Sequence, residues 1–150
     1  MLAGVSLDRI CLIGISLLAF ETVDQTMFIR GGGDPVIFYL HGVWKVPKGQ
    51  ALVVELRPPE CEVWNFHIDN WWMETLDYRY LPIHVNKHTA KYNDDGSVTV
   101  VVAHENRGFR NWLDPDGHEI GTMLLRWTPA KSHPIPKVRL VPLADAPLAS

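Results

Sequence analysis

The sequence predicts an all-β fold, an antiparallel β-sandwich or jelly roll with a short N-terminal helical segment. From residue 36 onward, short runs of β-branched and aromatic residues alternate with clusters of Gly, Pro, Asp and Asn. This pattern is typical of strands separated by turns. No helix-length amphipathic segments lie between these runs, so a parallel sheet with crossover helices is not expected.

The composition narrows the class of protein further. A chain of 150 residues fits one domain that buries roughly two thirds of its unfolded surface. Its 14 basic and 17 acidic residues form no basic stripe, so no nucleic acid partner is expected. Cys11 and Cys61 fit buried apolar positions in a reducing compartment better than a disulfide framework or a zinc site. We therefore expect a cytoplasmic protein.

Residues 1–30 are interpreted as a separate N-terminal segment. Its apolar stretch "ICLIGISLLAF", Ile10–Phe20, is shorter than the about 20 residues that a transmembrane helix needs, so no membrane span is expected. A signal peptide is the alternative, but Asp8 balances Arg9 and no small-x-small cleavage site precedes Glu21. An apolar helix needs a cover, so we expect a buried helix or a homodimer formed through this segment.

The β domain is expected to span residues 31–143, after the break "GGGDP" at Gly31–Pro35. This glycine triplet precedes a strand rather than a helix, unlike a phosphate-binding loop. One helical turn or an irregular loop is expected over Trp71–Leu76, and the tail of residues 144–150 is expected to be loose. The predicted strands are Val36–Leu40, Ala51–Leu56, Glu62–Ile68, Ile83–Lys91, Ser97–His104, Glu119–Trp127 and Val138–Val141.

The motif "NDDG", Asn93–Gly96, predicts a hairpin with a three-residue loop, in which Asn93 faces Ser97. A register shifted by one residue would set Lys87 and Lys91 beside valines, so it is disfavoured. The predicted opposite pairs are Tyr92 with Val98, Ala90 with Val100, His88 with Val102, Asn86 with His104 and His84 with Asn106.

This register predicts a polar cluster at the end of the hairpin away from the turn, made by His84, Asn86, His88 and His104. Buried polar groups need partners, so this end is a hydrogen-bonded cluster, a wet cavity mouth or a ligand site. Histidine also changes its protonation near neutral pH and can serve as an acid or base. The alternative is that these histidines are satisfied by neighbours or exposed on an open sheet face.

The histidine spacing does not predict a metal site. His84 and His88 lie about 13 Å apart along one strand, too far to bind the same ion. The sequence also contains no HxH or HExxH motif. We therefore expect neither a metal nor another cofactor.

The stretch "WNFHIDNWWMETLDYRY", Trp64–Tyr80, has two interpretations. Strand alternation puts Trp64 on a core face and His67 on the opposite face. The second half of the stretch is expected to fold over one end of the β domain and bury its large aromatic residues. These aromatic residues either form ordinary packing or line a pocket for a small molecule. Further along the chain, Arg126 should need an acidic partner if it is buried.

The strings "DPVIFYLHGVWKVPKGQALVVELRPPECEVWNFHIDNWWMETLDYR" and "DGSVTVVVAHENRGFRNWLDPDGHEIGTMLLRW" resemble a bacterial family of domains of unknown function, usually found C-terminal in longer chains. The resemblance covers roughly Gly32 to Leu143 and implies a jelly-roll-like fold but no established activity. The upstream domain that is usual in the family is expected to be replaced or truncated in residues 1–30. The sequence departs from the family motif "AH-x-DPG-x-x-NWLDT-x-G" at Asn106, Arg107 and Pro115. It matches that motif at Ala103, His104, Gly108, Asn111, Trp112, Leu113, Asp114 and Gly117.

These observations predict a domain that binds an apolar or aromatic small molecule. If it is an enzyme, we expect a cofactor-independent lyase, isomerase or hydrolase in which His104 is the acid–base group and Asn86 and Asn111 orient it. The alternative is a non-catalytic structural or oligomerisation domain. The predicted ligand-binding residues are Trp64, His67, Asn70, Trp71, Asp77, Arg79, His84, His88, Trp112 and Arg126.

Overall fold

The computed structural model describes residues 17–148, which form two β-sheets and very little helix. A 3-10 turn at Leu143–Asp145 follows the last strand. In chain order the elements are β1 (Phe20–Thr22), α1 (Gln25–Arg30), β2 (Phe38–Lys45), β3 (Gln50–Leu56), β4 (Cys61–Asn70), β5 (His84–Asn86), β6 (Val98–Val102), β7 (Trp112–Leu113), β8 (Ile120–Ala130) and β9 (Lys137–Pro142).

The strands divide into a five-stranded sheet of order β1-β2-β8-β4-β5 and a four-stranded sheet of order β7-β6-β3-β9. Neighbouring strands are antiparallel except β6 and β7, which are parallel. The expectation of a purely antiparallel arrangement is therefore wrong at this pair. The connection of residues 103–111 turns the chain back so that β7 runs parallel to Val101 and Val102, the last two residues of β6.

The predicted N-terminal helical segment is not supported. In the described part of residues 1–30, strand β1 pairs with strand β2, and helix is confined to the six residues of α1. Asp24 caps α1 by accepting a hydrogen bond from the backbone N–H of Thr26 at 2.9 Å. Residues 1–16, with most of the apolar stretch and Cys11, lie outside the described residues, as does the proposed dimer contact.

One hydrophobic core joins the two sheets. Strand alternation sends every second side chain of both sheets into it. Trp44 shows how tightly it packs, because its Nε1 donates to the backbone oxygens of Asp69, at 3.2 Å, and Thr122, at 2.9 Å. A Cβ atom on Gly121 would lie only 2.5 Å from the Trp44 ring, so glycine is needed there. The largest fully buried members of this core are Trp44, Trp64, Trp127, Phe66, Leu40, Leu52, Leu56, Ile68, Leu113, Met123 and Leu125.

A smaller apolar cluster covers the opposite face of the four-stranded sheet. Val53 and Val101 alternate with core residues on their strands and pack with Phe109, Leu143 and Ala146. The sequence predicts a loose tail from residue 144, but Ala146 is buried in this cluster, so the first residues of the tail pack against the domain.

The predicted hairpin is correct at its turn and wrong in its ladder. Asn93 N–H donates to Ser97 O at 2.8 Å, and Gly96 has a φ of 74°, as the turn chemistry predicts. The flanking strands lie in different sheets, because β5 pairs with β4 and β6 pairs with β3. A turn constrains only the residues that close it, whereas burial of the valine face in the core decides where each strand pairs.

Candidate functional site

The outer face of the five-stranded sheet, the face turned away from the core, carries two rows of mainly polar side chains. Each row runs across β2, β8, β4 and β5, since alternate residues of these strands point outward while their neighbours fill the core. In register, the first row is Tyr39, Arg126, Asn65 and Asn86, and the second row is His41, Leu124, His67 and His84.

His67 joins a buried carboxylate to a guanidinium. Its Nε2 lies 3.3 Å from Oδ2 of Asp69, and its Nδ1 lies 3.4 Å from Nη1 of Arg126. A guanidinium only donates hydrogen bonds, so Nδ1 is the acceptor. This geometry selects the tautomer with hydrogen on Nε2, which donates to Asp69. Both ring nitrogens of His67 are therefore engaged within the protein.

Arg126 is a half-buried cation with no carboxylate within ion-pair distance among residues 17–148. Its Nη1 donates to Asn65 Oδ1 at 3.3 Å, and its guanidinium lies 5.8 Å from the centre of the Tyr39 ring. Burial lowers the pKa of Arg126, whereas Tyr39 and Asp69 act in the opposite direction. The acidic partner expected for a buried Arg126 is not found in the described part of the chain.

His41 is only 4% exposed, and its Nε2 has no hydrogen-bond partner in the described structure. The Phe28 ring of α1 lies over it, with the ring centres 5.0 Å apart. Burial lowers the pKa of His41 to about 4, with smaller contributions from Arg126 and His67, although Asp69 acts in the opposite direction. His41 is therefore neutral at neutral pH.

A cleft of about 450 Å³ opens beside this network. Its walls are β4, β5, the residues that follow β5, and the loop of residues 71–83 between β4 and β5. Most of the lining side chains can form hydrogen bonds, and the others are apolar or aromatic. The lining residues are Val63, Asn65, His67, Asp69, Thr75, Tyr78, Ile83, His84, Asn86 and His88.

Polar contacts, rather than buried aromatic rings, organise the loop that forms one wall of the cleft. Asn70 Oδ1 accepts hydrogen bonds from the backbone N–H groups of Trp72, at 2.9 Å, and Glu74, at 3.0 Å. The loop is irregular over Trp71–Leu76, one of the two forms predicted. The expected burial of its aromatic residues is wrong, because Trp72 is 77% exposed and Tyr80 is 80% exposed.

The loop also contains an exposed ion pair. Nε of Arg79 lies 2.9 Å from Oδ1 of Asp77. The hydrogen bonds from Arg79 are the main reason why the pKa of Asp77 is lowered. Neither residue lines the cleft, and both are engaged with each other.

The structure brings together only part of the predicted site. His67, His84, His88 and Asn86 line the cleft, and Arg126 contacts two of the lining residues. Trp64 is buried in the core, where its Nε1 donates to Tyr92 Oη at 3.2 Å. Asn70, at the end of β4, and the loop residues Trp71, Asp77 and Arg79 lie near the cleft without lining it.

The other predicted site residues lie with the four-stranded sheet. His104 Nε2 is 2.9 Å from the backbone oxygen of Val46, and Trp112 Nε1 donates to Ala103 O at 2.8 Å. Asn111 is buried and hydrogen-bonded to the backbones of Lys91 and Thr99. The prediction that His84 and His104 share one polar cluster on a hairpin is wrong, because β5 and β6 belong to different sheets.

Sequence reasoning did not select His41, Asn65 or Asp69. For Asn65 and Asp69 a signal exists, because the alternation in "WNFHID" puts both on the same face as His67. His41 has no comparable signal, since only the pairing of β2 with β8 and of β8 with β4 brings it into the row of His67.

Two further observations concern residues 17–148. Within this range, no three His, Cys, Asp or Glu side chains are grouped so that they could hold a metal ion. Over the same range, no helix is both long and apolar enough to cross a membrane.

Neither a protein-family model nor a curated protein matches the chain. It is similar to the crystal structure of an uncharacterised protein from Burkholderia cenocepacia, with 44% sequence identity and a TM-score of 0.82 over 87% of this chain and 36% of that chain. A protein from Vibrio parahaemolyticus is 16% identical, with a TM-score of 0.58 over 77% of this chain and 33% of that chain.

The chain thus spans about a third of the length of these two bacterial proteins. Their structures support the β-rich fold, and the Burkholderia protein is a relative of uncharacterised function. The family motif around His104 and the C-terminal position in longer chains stay predictions.

Proposed function

We propose that this chain is a ligand-binding β-sandwich of the jelly-roll kind that holds a small organic molecule in the cleft on the outer face of its five-stranded sheet. One observation supports this function above the others: side chains from β4, β5 and the 71–83 loop converge on a cleft of about 450 Å³. Small-molecule sites in proteins have volumes of this order, about 300 to 1,000 Å³.

The cleft suits a molecule with an apolar or aromatic body and a few polar groups. Val63, Tyr78 and Ile83 offer apolar and aromatic surface, and His84 and Asn86 offer hydrogen bonds. The exposed rings of the neighbouring loop add aromatic surface at the rim.

Any proton transfer to or from a molecule in this cleft would fall to His84 rather than His104. His84 is exposed at the cleft, and its ring has no hydrogen bond in the described structure. His104 does not line this cleft, and its Nε2 must carry hydrogen because it faces a backbone oxygen, which only accepts.

A thermal shift screen against steroids, aromatic acids and polyketide-like compounds tests this function with a variant that fills the cleft. Val63 lies exposed in the cleft lining, so Val63→Trp should remove ligand-induced stabilisation while keeping a good strand former at this position. Binding at a ligand concentration of about 100 times Kd stabilises a protein by about 2.7 kcal/mol. Val36→Trp, at an exposed position away from the cleft, is the matched control and should respond to ligands like the unmodified chain.

Ligand stabilisation that survives Val63→Trp would place binding elsewhere and contradict the proposed site. A second function, that of a non-catalytic structural or oligomerisation domain, is favoured by the exposed aromatic residues of the 71–83 loop. Exposed aromatic residues such as Trp72 and Tyr80 would then contact protein. Self-association of the intact chain in sedimentation, together with a failure of every compound to bind, would favour this second function.

A further inference from the structure

Building on the proposed function, we infer that the cleft recognises a carboxylate, and that its ligand is a small apolar or aromatic carboxylic acid. This assignment follows from the hydrogen-bonding groups that the cleft leaves without partners. Two asparagine amides have their oxygen atoms occupied by the protein and their N–H groups available, and an arginine without an ion pair lies next to them.

The orientation of the Asn86 amide is set by the backbone N–H groups of the residues that follow it in the chain. Its Oδ1 accepts hydrogen bonds from the N–H groups of His88, at 2.9 Å, and Thr89, at 3.1 Å. Both partners are donors only, so the oxygen must face them. Nδ2 of Asn86 has no hydrogen-bond partner in the described structure, and the residue lines the cleft. The group that the Asn86 amide can offer to a ligand is therefore a donor and not an acceptor.

Asn65 is oriented in the same way by a different partner. Its Oδ1 accepts from Nη1 of Arg126 at 3.3 Å, and a guanidinium has no acceptor atom. Asn65 and Asn86 are opposite each other in the register of β4 and β5, so their Cβ atoms lie about 4.5 to 5.5 Å apart. Two amide N–H groups at that separation can bind the two oxygens of one carboxylate.

The charge of Arg126 favours an anion at this position. Arg126 is half-buried, and no ion pair compensates it in the described part of the chain. The acidic residue that acts on it, Asp69, is paired with His67. A partly buried cation is stabilised when an anion occupies the neighbouring site. The carboxylate of a ligand would supply that charge.

The other residues that line the cleft favour a ligand with a single negative charge and an apolar body. Val63, Tyr78 and Ile83 line the remaining wall, where they would contact hydrocarbon or an aromatic ring. Asp69 lines the same cleft, and its carboxylate disfavours a second anionic group on the ligand.

Paired probes with and without the charge test this inference. We would measure binding of 2-naphthoate and indole-3-acetate, and of the neutral 2-naphthamide and indole-3-acetamide, by calorimetry and amide NMR near neutral pH. The acids should bind at least about tenfold more tightly than the amides, as charge-assisted hydrogen bonds are about twice as strong as neutral ones.

Asn86→Asp is the most specific variant. It keeps an oxygen for the His88 and Thr89 N–H groups but replaces the free amide N–H₂ group by a negatively charged oxygen. Binding of the acids should fall by at least about tenfold while binding of the amides changes little. Asn106→Asp is the matched control, because Asn106 Oδ1 accepts from the N–H groups of Gly108 and Phe109 in an equivalent turn away from the cleft.

Arg126→Met gives a second measurement that does not depend on the asparagine. It should reduce the affinity of the acids toward that of the amides, whereas Arg139→Met, on the four-stranded sheet, should not.

The outcomes separate the carboxylate inference from the proposed function. If the acids and the amides bind equally tightly, and Val63→Trp abolishes the binding of both, the carboxylate inference is overturned and the proposed function stands. Binding of the acids that is insensitive to Val63→Trp would overturn both, and failure of all four probes to bind would overturn the inference.

Discussion

At the scale of single residues, the outer face holds titratable groups whose chemistry is set by burial. His41 has lost nearly all contact with solvent and has gained no hydrogen bond for Nε2 in the described structure. The charged form of the ring would lose hydration without a compensating partner, so the fold favours the neutral form. The pKa of about 4 in the folded protein therefore lies below the ordinary value of 6.5.

This difference predicts that the protein loses stability as the pH falls. Below a pH of about 6.5 the unfolded chain binds a proton at His41 that the folded protein does not bind until about pH 4. His41→Leu removes this linkage. In urea unfolding, the stability lost between near pH 7 and about pH 4.5 should be about 2 to 3 kcal/mol smaller in His41→Leu than in the unmodified protein.

His118→Leu, at an exposed position, controls for the loss of a histidine as such. The other titratable groups are common to the three proteins and cancel in the comparison. An equal loss of stability on acidification in His41→Leu and in the unmodified protein would show that His41 does not have the buried, neutral character described here.

At the scale of elements, Asn111 connects parts of the chain that no strand ladder joins. Its Oδ1 accepts from Lys91 N–H at 2.7 Å, and its Nδ2 donates to Lys91 O and Thr99 O, each at 2.9 Å. The side-chain amide thus forms the hydrogen bonds that a backbone peptide group would form, and it links the segment after β5 to strand β6. These contacts account for Asn111 without a contact to His104 among the described hydrogen bonds.

We predict that Asn111→Ala lowers the free energy of unfolding by about 2 to 4 kcal/mol, because buried backbone groups of Lys91 and Thr99 lose their partners. Asn111→Asp should cost at least as much, since its carboxylate would face two backbone oxygens. Urea unfolding measures both changes. Asn106→Ala, in an exposed turn, should cost about 1 kcal/mol or less, and a loss as large as that of Asn111→Ala would contradict the special role of Asn111.

At the scale of the whole molecule, one core links both sheets. Three buried tryptophans of the five-stranded sheet, Trp44, Trp64 and Trp127, belong to the same apolar cluster as Val54 of β3 in the four-stranded sheet. Loss of either sheet would expose the inner face of the other, so neither sheet can unfold without a large cost in apolar burial.

We therefore predict a single cooperative unfolding transition. Tryptophan fluorescence, which reports mainly on the five-stranded sheet, should give the same midpoint as far-UV circular dichroism, which reports on both sheets. Val54→Ala should lower both midpoints together by several degrees, as a buried valine truncation costs about 1 to 3 kcal/mol. Exposed Val63→Ala should change them little. Two separate transitions, or a shift seen by one probe only, would contradict a shared core.

Much of the strand pattern was predictable from the sequence. The predicted strand Ala51–Leu56 corresponds to β3, Glu62–Ile68 falls within β4, and Val138–Val141 falls within β9. Strand alternation and turn residues act over a few neighbours, so the local sequence carries them. The short strands β1 and β7 were not predicted, because two or three residues are too few to show a pattern.

The candidate site was only partly predictable for the same reason. The sequence by itself determined that the chain is β-rich, where its main strands and the Asn93 turn lie, and that Asn65, His67 and Asp69 share one face. Only the tertiary structure decided that β5 pairs with β4 while β6 joins the other sheet, which separates His84 from His104 and brings His41, Arg126 and His67 onto one surface. Strand pairing depends on which distant apolar faces bury each other in the core, and no local pattern along the chain encodes that choice.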